Sequence, residues 1–526
     1  MIKFNDDQKK ALSLINEFLL SKESKVFFLR GYAGTGKTTI IKEIVDKNIE
    51  YRFILLASTG IAAKVMEMKT GLKASTVHSL IYQYSATEKK DDIYVDRFDV
   101  KQNLEYNIYI VDEASMIGDE KSTQSNNLEF GSQKLLHDFF ESINISTSYS
   151  KVIFVGDPLQ LPPIDCEDEI PPALNPDYLK SNFKLNTRLV TLTKVERQSA
   201  QDGILTNATN IRNAINEKKY DNFKIDRAFD NINDISYEEM IENYIRDMSR
   251  TMIITRSNMK ALLYSEDIRK RLGFSNILEK SDRLLVLKNN QQYNLMNGEI
   301  IELLTINQKI DRKKVNDIYL DFVDITFIRN NKEEKAKVFL NFLNDKEFPK
   351  NKIRVENALL DLVKKEANLI KISDKAKKDS TYYNALQVRY AYSLTCHKAQ
   401  GGEAEKVIID NPYASSLFEL KWLYTAITRA KNEILILGNR NSYKNIDVLG
   451  REEMKNSKGY FEISTTNYKT KIIQPEDIGE MHIAKKFFVE RFSYSNTLTR
   501  MNSNEMPTNK YIPEWPKVIN IKGDGK

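Results

Sequence analysis

Residues Lys25–Thr39 read KVFFLRGYAGTGKTT. The first six positions form a short, nearly continuous apolar run rich in aromatic and branched side chains, the pattern of a buried strand. Gly31–Thr38 then match G-x-x-x-x-G-K-[ST], and the following IIKEIVDKN has helical spacing. Strand, loop and helix in that order make a phosphate cradle: the glycines let backbone N–H groups turn inward, and the helix N-terminus adds the positive end of its dipole. Gly31, Gly34, Thr35, Gly36 and Thr39 would line the cradle, Lys37 would neutralise the β- and γ-phosphates, and the Thr38 hydroxyl would ligate Mg²⁺. A glycine-rich turn can fit the same letters. In a chain with only 19 glycines, the flanking strand and helix favour the phosphate reading.

Outward from this loop, further short apolar runs predict strands at Phe53–Ala57, Ile108–Val111 and Val152–Val155, separated by helix-length segments. That alternation predicts a parallel sheet covered by helices on both faces. A second set follows at Met252–Thr255, Leu284–Leu287, Lys406–Ile409 and Glu433–Leu437. The fold class is therefore α/β with two cores, the first over 1–80 and 107–190, the second over 191–300 and 381–440. Residues 81–106 read as an inserted hairpin, and Gly118–Ser132, rich in Ser, Asn and Gln, as a mobile loop. Residues 301–380 read as an inserted small β-barrel-like domain with a lysine-rich helical return. Residues 441–526 are an extension whose sequence, including FFVERF at 487–492, fits either packing on the second core or a protein-partner surface.

Composition narrows the class. The chain has 526 residues, 41% hydrophobic and 29% charged, enough apolar material for several cores and too much for intrinsic disorder. No run approaches the roughly 18–20 apolar residues of a membrane helix. The opening MIKFNDDQKK lacks a secretory pattern, and two cysteines, Cys166 and Cys396, cannot build a disulfide framework. A cytoplasmic, monomeric protein with no membrane association is expected. The 79 Lys+Arg against 73 Asp+Glu give +6, which permits a polyanion partner without demanding one.

At Asn107–Ser115 (NIYIVDEAS) two carboxylates leave the end of an apolar strand. Open parallel sheets bind ligands at the carboxyl ends of their strands, so Asp112 is expected to hold Mg²⁺ and Glu113 to orient and deprotonate the attacking water. A solvated turn is the alternative for such a pair standing alone. Together with the phosphate loop it points to ATP hydrolysis.

A phosphate loop alone does not choose among kinases, switches and motors. Val152–Ile164 (VIFVGDPLQLPPI) resembles motif III of superfamily 1 helicases, and the resemblance then runs along the chain. Phe4–Leu12 (FNDDQKKAL) is similar to the Q motif, Ala57–Met66 (ASTGIAAKVM) to motif Ia, and Ala74–Leu80 (ASTVHSL) to the motif after it. Leu192–Gln198 (LTKVERQ) resembles motif IV, Tyr390–Glu403 (YAYSLTCHKAQGGE) motif V, and Leu423–Lys431 (LYTAITRAK) motif VI. Order and wording resemble the RecD-like, Dda-like branch, which includes 5′→3′ DNA helicases.

That resemblance implies two RecA-like cores with ATP and Mg²⁺ between them. It assigns Gln8 to the adenine edge, Gln160 to the γ-phosphate, Gly402 and Glu403 to the nucleotide side of motif V, and Arg197 and Arg429 to arginine-finger roles. It places Thr59, Thr76 and His78 on the nucleic-acid face of the first core, and Thr395, His397 and Lys398 on that of the second. It implies single-stranded DNA and a duplex fork as partners, with Tyr94 or Phe98 of the hairpin as the aromatic that stacks at the fork. Core packing or capping is the plainer alternative for each of these side chains. Three rival readings stay open: a motor subunit of a nuclease or defence complex, a helicase acting on RNA or hybrids, and a non-motor P-loop kinase or switch. The last leaves Gln160, His397 and Arg429 without a role.

Overall fold

The computed structural model describes residues 4–438 except 91–92, 122–126, 164–165, 167–168, 196–201, 222, 291, 308, 330–331 and 344–351, together with the strands 461–465, 468–472 and 520–523. Residues up to Leu437 form one compact unit apart from Ile235–Tyr237; the remainder forms a second.

The first core is a six-stranded parallel sheet in the order Ala74–Thr76, Phe53–Ala57, Ile108–Asp112, Lys151–Gly156, Val26–Gly31, Thr187–Leu192. Its strands are apolar on both faces because both faces are covered. Phe27 and Leu29 pack toward the helices Asp6–Leu20 and Lys37–Lys47, with Ile15, Phe18 and Ile40. Val26 and Phe28 point the other way, toward Phe139, Phe140 and Leu174. Each fully buried side chain of this size contributes about 1.5–3 kcal/mol. The sheet is therefore a rigid base for the loops at its carboxyl edge.

The second core has a five-stranded sheet ordered Ile232–Ile235, Ala430–Leu437, Ala404–Asp410, Thr251–Thr255, Leu394–Thr395, parallel through its last four strands. Leu159 and Leu161, from the first core, are buried in its apolar cluster beside Leu420, Trp422 and Leu423 of the helix Leu417–Ile427. The two cores thus share packed side chains at one seam.

One expected strand changes place. The run at Leu284–Leu287 forms the strand Arg283–Val286, but it pairs antiparallel with Ile300–Ile306 and Leu386–Tyr390 in a mixed six-stranded sheet, not in the second core's sheet. A short apolar run looks the same in either setting. The other strands of this sheet are Asp311–Val315, Ile318–Arg329 and Lys332–Phe339, and the helical return consists of Lys352–Glu366 and Asp374–Asp379. The hairpin strands Tyr82–Lys90 and Ile93–Val100 are antiparallel. A third strand, Leu128–Phe130, joins them from the segment expected to be loop alone. In the second unit, Phe461–Thr465 pairs antiparallel with Tyr468–Ile472 and Asn520–Gly523; residues 487–492 lie outside the described residues. Among the described residues no helix is long and apolar enough to cross a membrane.

Candidate nucleotide site and nucleic-acid face

The loop after the strand Val26–Gly31 turns through Gly34 and Gly36, whose φ angles are 77° and 84°. A Cβ at Gly36 would stand 2.6 Å from Gln8 Nε2, so the sharp turn and the close neighbour both require glycine there. Gln8 Nε2 donates to the Thr35 carbonyl at 3.1 Å, while Gln8 Oε1 accepts from Asn5 N–H at 3.0 Å in a capping box at the start of the helix Asp6–Leu20. Both ends of this amide are engaged by the protein. Gln8 therefore braces the phosphate loop, a use the adenine assignment did not include. Lys37 Nζ donates to the carbonyls of Gly31 and Tyr32 at 2.7 and 3.1 Å, holding the ammonium over the loop.

Asp112 ends its strand and accepts the Glu113 N–H at 2.9 Å. Glu113 itself adopts left-handed backbone geometry, φ 50° and ψ 40°, an uncommon state for a non-glycine residue and one that concentrates at functional sites. Burial and the neighbouring Glu113 carboxylate hold the Asp112 carboxyl above the ordinary range, with Lys37 opposing them. A divalent cation there would restore the charged form.

Around these groups opens a cleft of about 830 Å³. The first core lines it with Gln8, Gly34, Gly36, Lys37, Thr38, Thr39, Asp112, Glu113 and Gln160, and the second with Gly402, Glu403 and Arg429. With its side-chain amide oriented to satisfy both neighbours, Gln160 donates to Glu113 Oε2 at 3.3 Å and accepts from Arg429 Nη2 at 3.2 Å. Arg429 is 4% exposed; its Nε and Nη1 donate to the carbonyls of Thr425 and Gly402, both at 3.1 Å, which aims the guanidinium into the cleft. The oxygen-only donors Thr38 and Asp112 suit Mg²⁺, and cations facing one cleft suit a polyphosphate. Lys42, Lys69 and Gly401 also line it and went unread in the sequence. Lys69 could have been found from helical spacing, one turn beyond Val65. Arg197 lies outside the described residues.

The seam below the cleft is polar as well as apolar. Tyr424 Oη donates to Asp157 Oδ2 at 2.7 Å, Leu161 N–H donates to Thr425 Oγ1 at 2.9 Å, and Gln400 Nε2 donates to the Leu161 carbonyl at 3.1 Å. Motif III is thus held by side chains from motifs V and VI.

Of the residues expected at a nucleic-acid face, Thr59 and Thr76 cap the helices Gly60–Thr70 and Val77–Ile81, accepting from Ala62 N–H and Ser79 N–H, each at 3.2 Å. Thr395 precedes the short helix Cys396–Ala399, which carries His397 and Lys398. His397 is half-buried, its Nε2 has no hydrogen-bond partner, and desolvation lowers its pKa. The His78 ring is solvent-accessible, yet protein mass around it lowers its pKa as well. It lies 5.7 Å from the rings of both Tyr82 and Phe130. Phe98, half-buried, stacks on Phe130 at 4.6 Å, a partner from outside the hairpin that was not anticipated.

The expectation for Tyr94 is corrected. Its ring is 8% exposed and packs with Leu360 and Ile372 of the inserted domain. Its hydroxyl donates to Asp361 at 2.6 Å and its N–H to Asn357 at 2.9 Å. Nearby, Lys377 pairs with buried Asp96. Tyr94 anchors the hairpin and is not available to stack on a base.

Residues 3–225 match the family model described as an AAA domain, and residues 390–437 that of the UvrD-like helicase C-terminal domain. The uncharacterized protein R530 of Acanthamoeba polyphaga mimivirus is 26% identical over 302 residues, which cover 51% of this chain and 56% of R530; the chain spans about half the length of that relative. The ATP-dependent DNA helicase dda of Enterobacteria phage T4 is 24% identical over 477 residues, 82% of this chain and 98% of dda. Among solved structures, Pif1 helicase from Candida albicans aligns at 15% identity over 86% of this chain and 100% of that one, with a TM-score of 0.42.

Proposed function

This chain belongs to the superfamily 1 helicases of the RecD-like, Dda-like branch, and from that premise we propose that it is an ATP-driven DNA helicase that moves 5′→3′ on single-stranded DNA and unwinds duplex. The observation that carries the reading is the Glu113–Gln160–Arg429 chain, which joins a carboxylate of one core to a guanidinium of the other inside a phosphate-loop cleft. An arginine from a second core of the same chain, joined to the carboxylate beside the phosphate loop, suits a motor that couples hydrolysis to core movement. The phage T4 relative, an ATP-dependent DNA helicase, supports the choice of DNA, and the polarity rests on the branch.

Bound Mg²⁺-ATP would supply the phosphoanhydride and a cation that neutralises charge on the transferred group. The chain's own residues do the rest. The phosphate-loop N–H groups and Lys37 hold the phosphates, while Thr38 and Asp112 hold the cation. Glu113 takes the proton of the attacking water, and Gln160 keeps that carboxylate in register with Arg429. Movement of the second core shifts Arg429 relative to Glu113, and the Asp157–Tyr424 and Leu161–Thr425 bonds carry that movement through the seam. Thr59, Thr76 and His78 on one core and Thr395, His397 and Lys398 on the other grip the strand alternately. Their contacts are to backbone phosphates and are indifferent to sequence.

The test is ATPase rate with and without single-stranded DNA for the wild type and Lys37→Ala. Strong stimulation that disappears in the variant is expected, followed by unwinding of a duplex with a 5′ tail and not of one with a 3′ tail. Turnover indifferent to DNA and RNA would overturn the reading.

A further inference from the structure

Between the strands Arg283–Val286 and Ile300–Ile306 runs a loop that touches the proposed strand-gripping motifs of both cores. Its backbone closes on itself through reciprocal Asn290–Leu295 hydrogen bonds of 2.8 and 3.0 Å. Arg329, on the inserted domain, pins it by donating to the Tyr293 and Asn294 carbonyls and to Glu299 Oε1, the last at 3.2 Å. The loop is therefore held in shape by its own backbone and by the inserted domain, independently of the two motifs it touches.

Its far side meets motif Ia at contact distance. A Cβ on Gly60 would fall 2.5 Å from Met296 Cβ, and one on Gly298, which has φ +90°, would fall 2.8 Å from Ile61 Cδ1. Lys64 lies one turn beyond Gly60, hence on the same helix face, and its Nζ pairs with Glu299 Oε1 at 2.5 Å. In motif V, Lys398 Nζ donates to Asn297 Oδ1 at 2.9 Å. Two ammonium groups, one per core, are thus each held by an oxygen acceptor of a single loop.

We propose that Asn297 and Glu299 are positioning residues that stand in for backbone phosphates, holding Lys398 and Lys64 in the strand-free protein and yielding them when single-stranded nucleic acid enters. The inference rests on the functional reading above, which supplies the strand. The exchange is balanced on both sides. A phosphate oxygen carries charge that the neutral Asn297 amide lacks, so it is the stronger acceptor for Lys398. Glu299, on losing Lys64, keeps Arg329 and the Met296 N–H at 3.2 Å, so its carboxylate is not left buried and unpaired. The clasp therefore competes with the strand without becoming a trap.

The experiment is fluorescence-anisotropy binding of a labelled oligothymidylate at fixed ionic strength, using the full chain. Glu299→Gln retains the shape and the bond from Met296 N–H, and Asn297→Ala removes the other acceptor independently. Each should bind roughly two- to fivefold more tightly than wild type, from loss of a part-exposed ion pair at Glu299 and of a single hydrogen bond from Lys398 at Asn297. Lys64→Ala should weaken binding, and in that background Glu299→Gln should have no further effect, because its partner is gone. A gain from Glu299→Gln that persists without Lys64 would reduce the effect to bulk charge and overturn the proposal. Equal or weaker binding by both acceptor variants would overturn it too, assigning the loop to structural support of the groove. Failure of the wild type itself to bind the oligonucleotide would instead remove the functional reading on which the clasp rests.

Discussion

The nucleotide cleft and the hairpin make an instructive pair. In the cleft, residues expected from sequence come together almost as a set: loop, carboxylates, Gln160, motif V and Arg429 line one cavity. In the hairpin, of two aromatics given the same role, Tyr94 is an anchor locked to Asn357 and Asp361, and Phe98 is a half-buried ring stacked on Phe130. Each of those cleft residues sits in a short motif near an end of a strand or helix, so local spacing reports it even though the motifs are far apart in the chain. A hairpin ring's role depends on what lies across from it, and Tyr94's partners come from more than 260 positions along the chain.

The sharpest way to break the comparison is to attack the cleft. Lys37→Ala and Glu113→Gln should each lower the ATPase rate by roughly 10²–10⁴, the range for loss of a transition-state charge partner or of a general base. DNA binding should survive in both. A Glu113→Gln enzyme that keeps more than about a tenth of wild-type turnover would remove Glu113 from the base role.

Next comes Arg429→Lys. Lysine keeps the charge but has one nitrogen centre where arginine presents a planar fork. Arg429 uses three nitrogens at once, toward Thr425, Gly402 and Gln160. A loss of about 10²–10³ in kcat is expected, with a smaller change in KM, measured by steady-state ATPase in saturating single-stranded DNA. A loss confined to KM would make Arg429 a ground-state binding group.

Tyr424→Phe probes the seam. It leaves the ring in place but removes the hydroxyl from Asp157, which is fully buried and then keeps only the Leu159 N–H at 3.0 Å. About 1–3 kcal/mol of stability should be lost, read as a lower midpoint in denaturant. If the seam transmits core movement, the ratio of unwinding steps to ATP consumed should fall as well.

What was legible in the sequence follows the same physical division. The parallel strands of both cores announced themselves because a strand covered on both faces must be apolar throughout, and Val26–Gly31, Ile108–Asp112 and Lys151–Gly156 are so covered. The same signal misplaced Leu284–Leu287, because burial writes no record of whether the neighbouring strand is parallel. Glycines with positive φ at Gly34 and Gly36 were legible as a turn. The bracing use of Gln8 was not, because one amide can read a base or hold a carbonyl, and the 3.1 Å contact with Thr35 leaves no mark in the sequence. The clasp at Asn297 and Glu299 lay in no motif at all.

The smallest expected effect separates the two hairpin aromatics directly. Tyr94→Ala removes a buried ring and the hydroxyl bond to Asp361 while the backbone bond to Asn357 remains, so it should loosen the hairpin from the inserted domain and reduce unwinding by roughly tenfold, about 1.4 kcal/mol in the separation step, with ATPase little changed. Phe98→Ala removes a ring whose partners Tyr84 and Phe130 remain in the same cluster. If Phe98 acts by stacking on a base, the loss should fall within the roughly 1–3 kcal/mol of a base–aromatic contact, and Phe98→Trp should restore it. If it serves only the cluster, Phe98→Leu should do as well as Phe98→Trp, since an aliphatic side chain also fills the space. Comparing those two replacements by single-turnover unwinding at saturating ATP asks whether the ring's face or merely its volume matters, which the hairpin's sequence could not report.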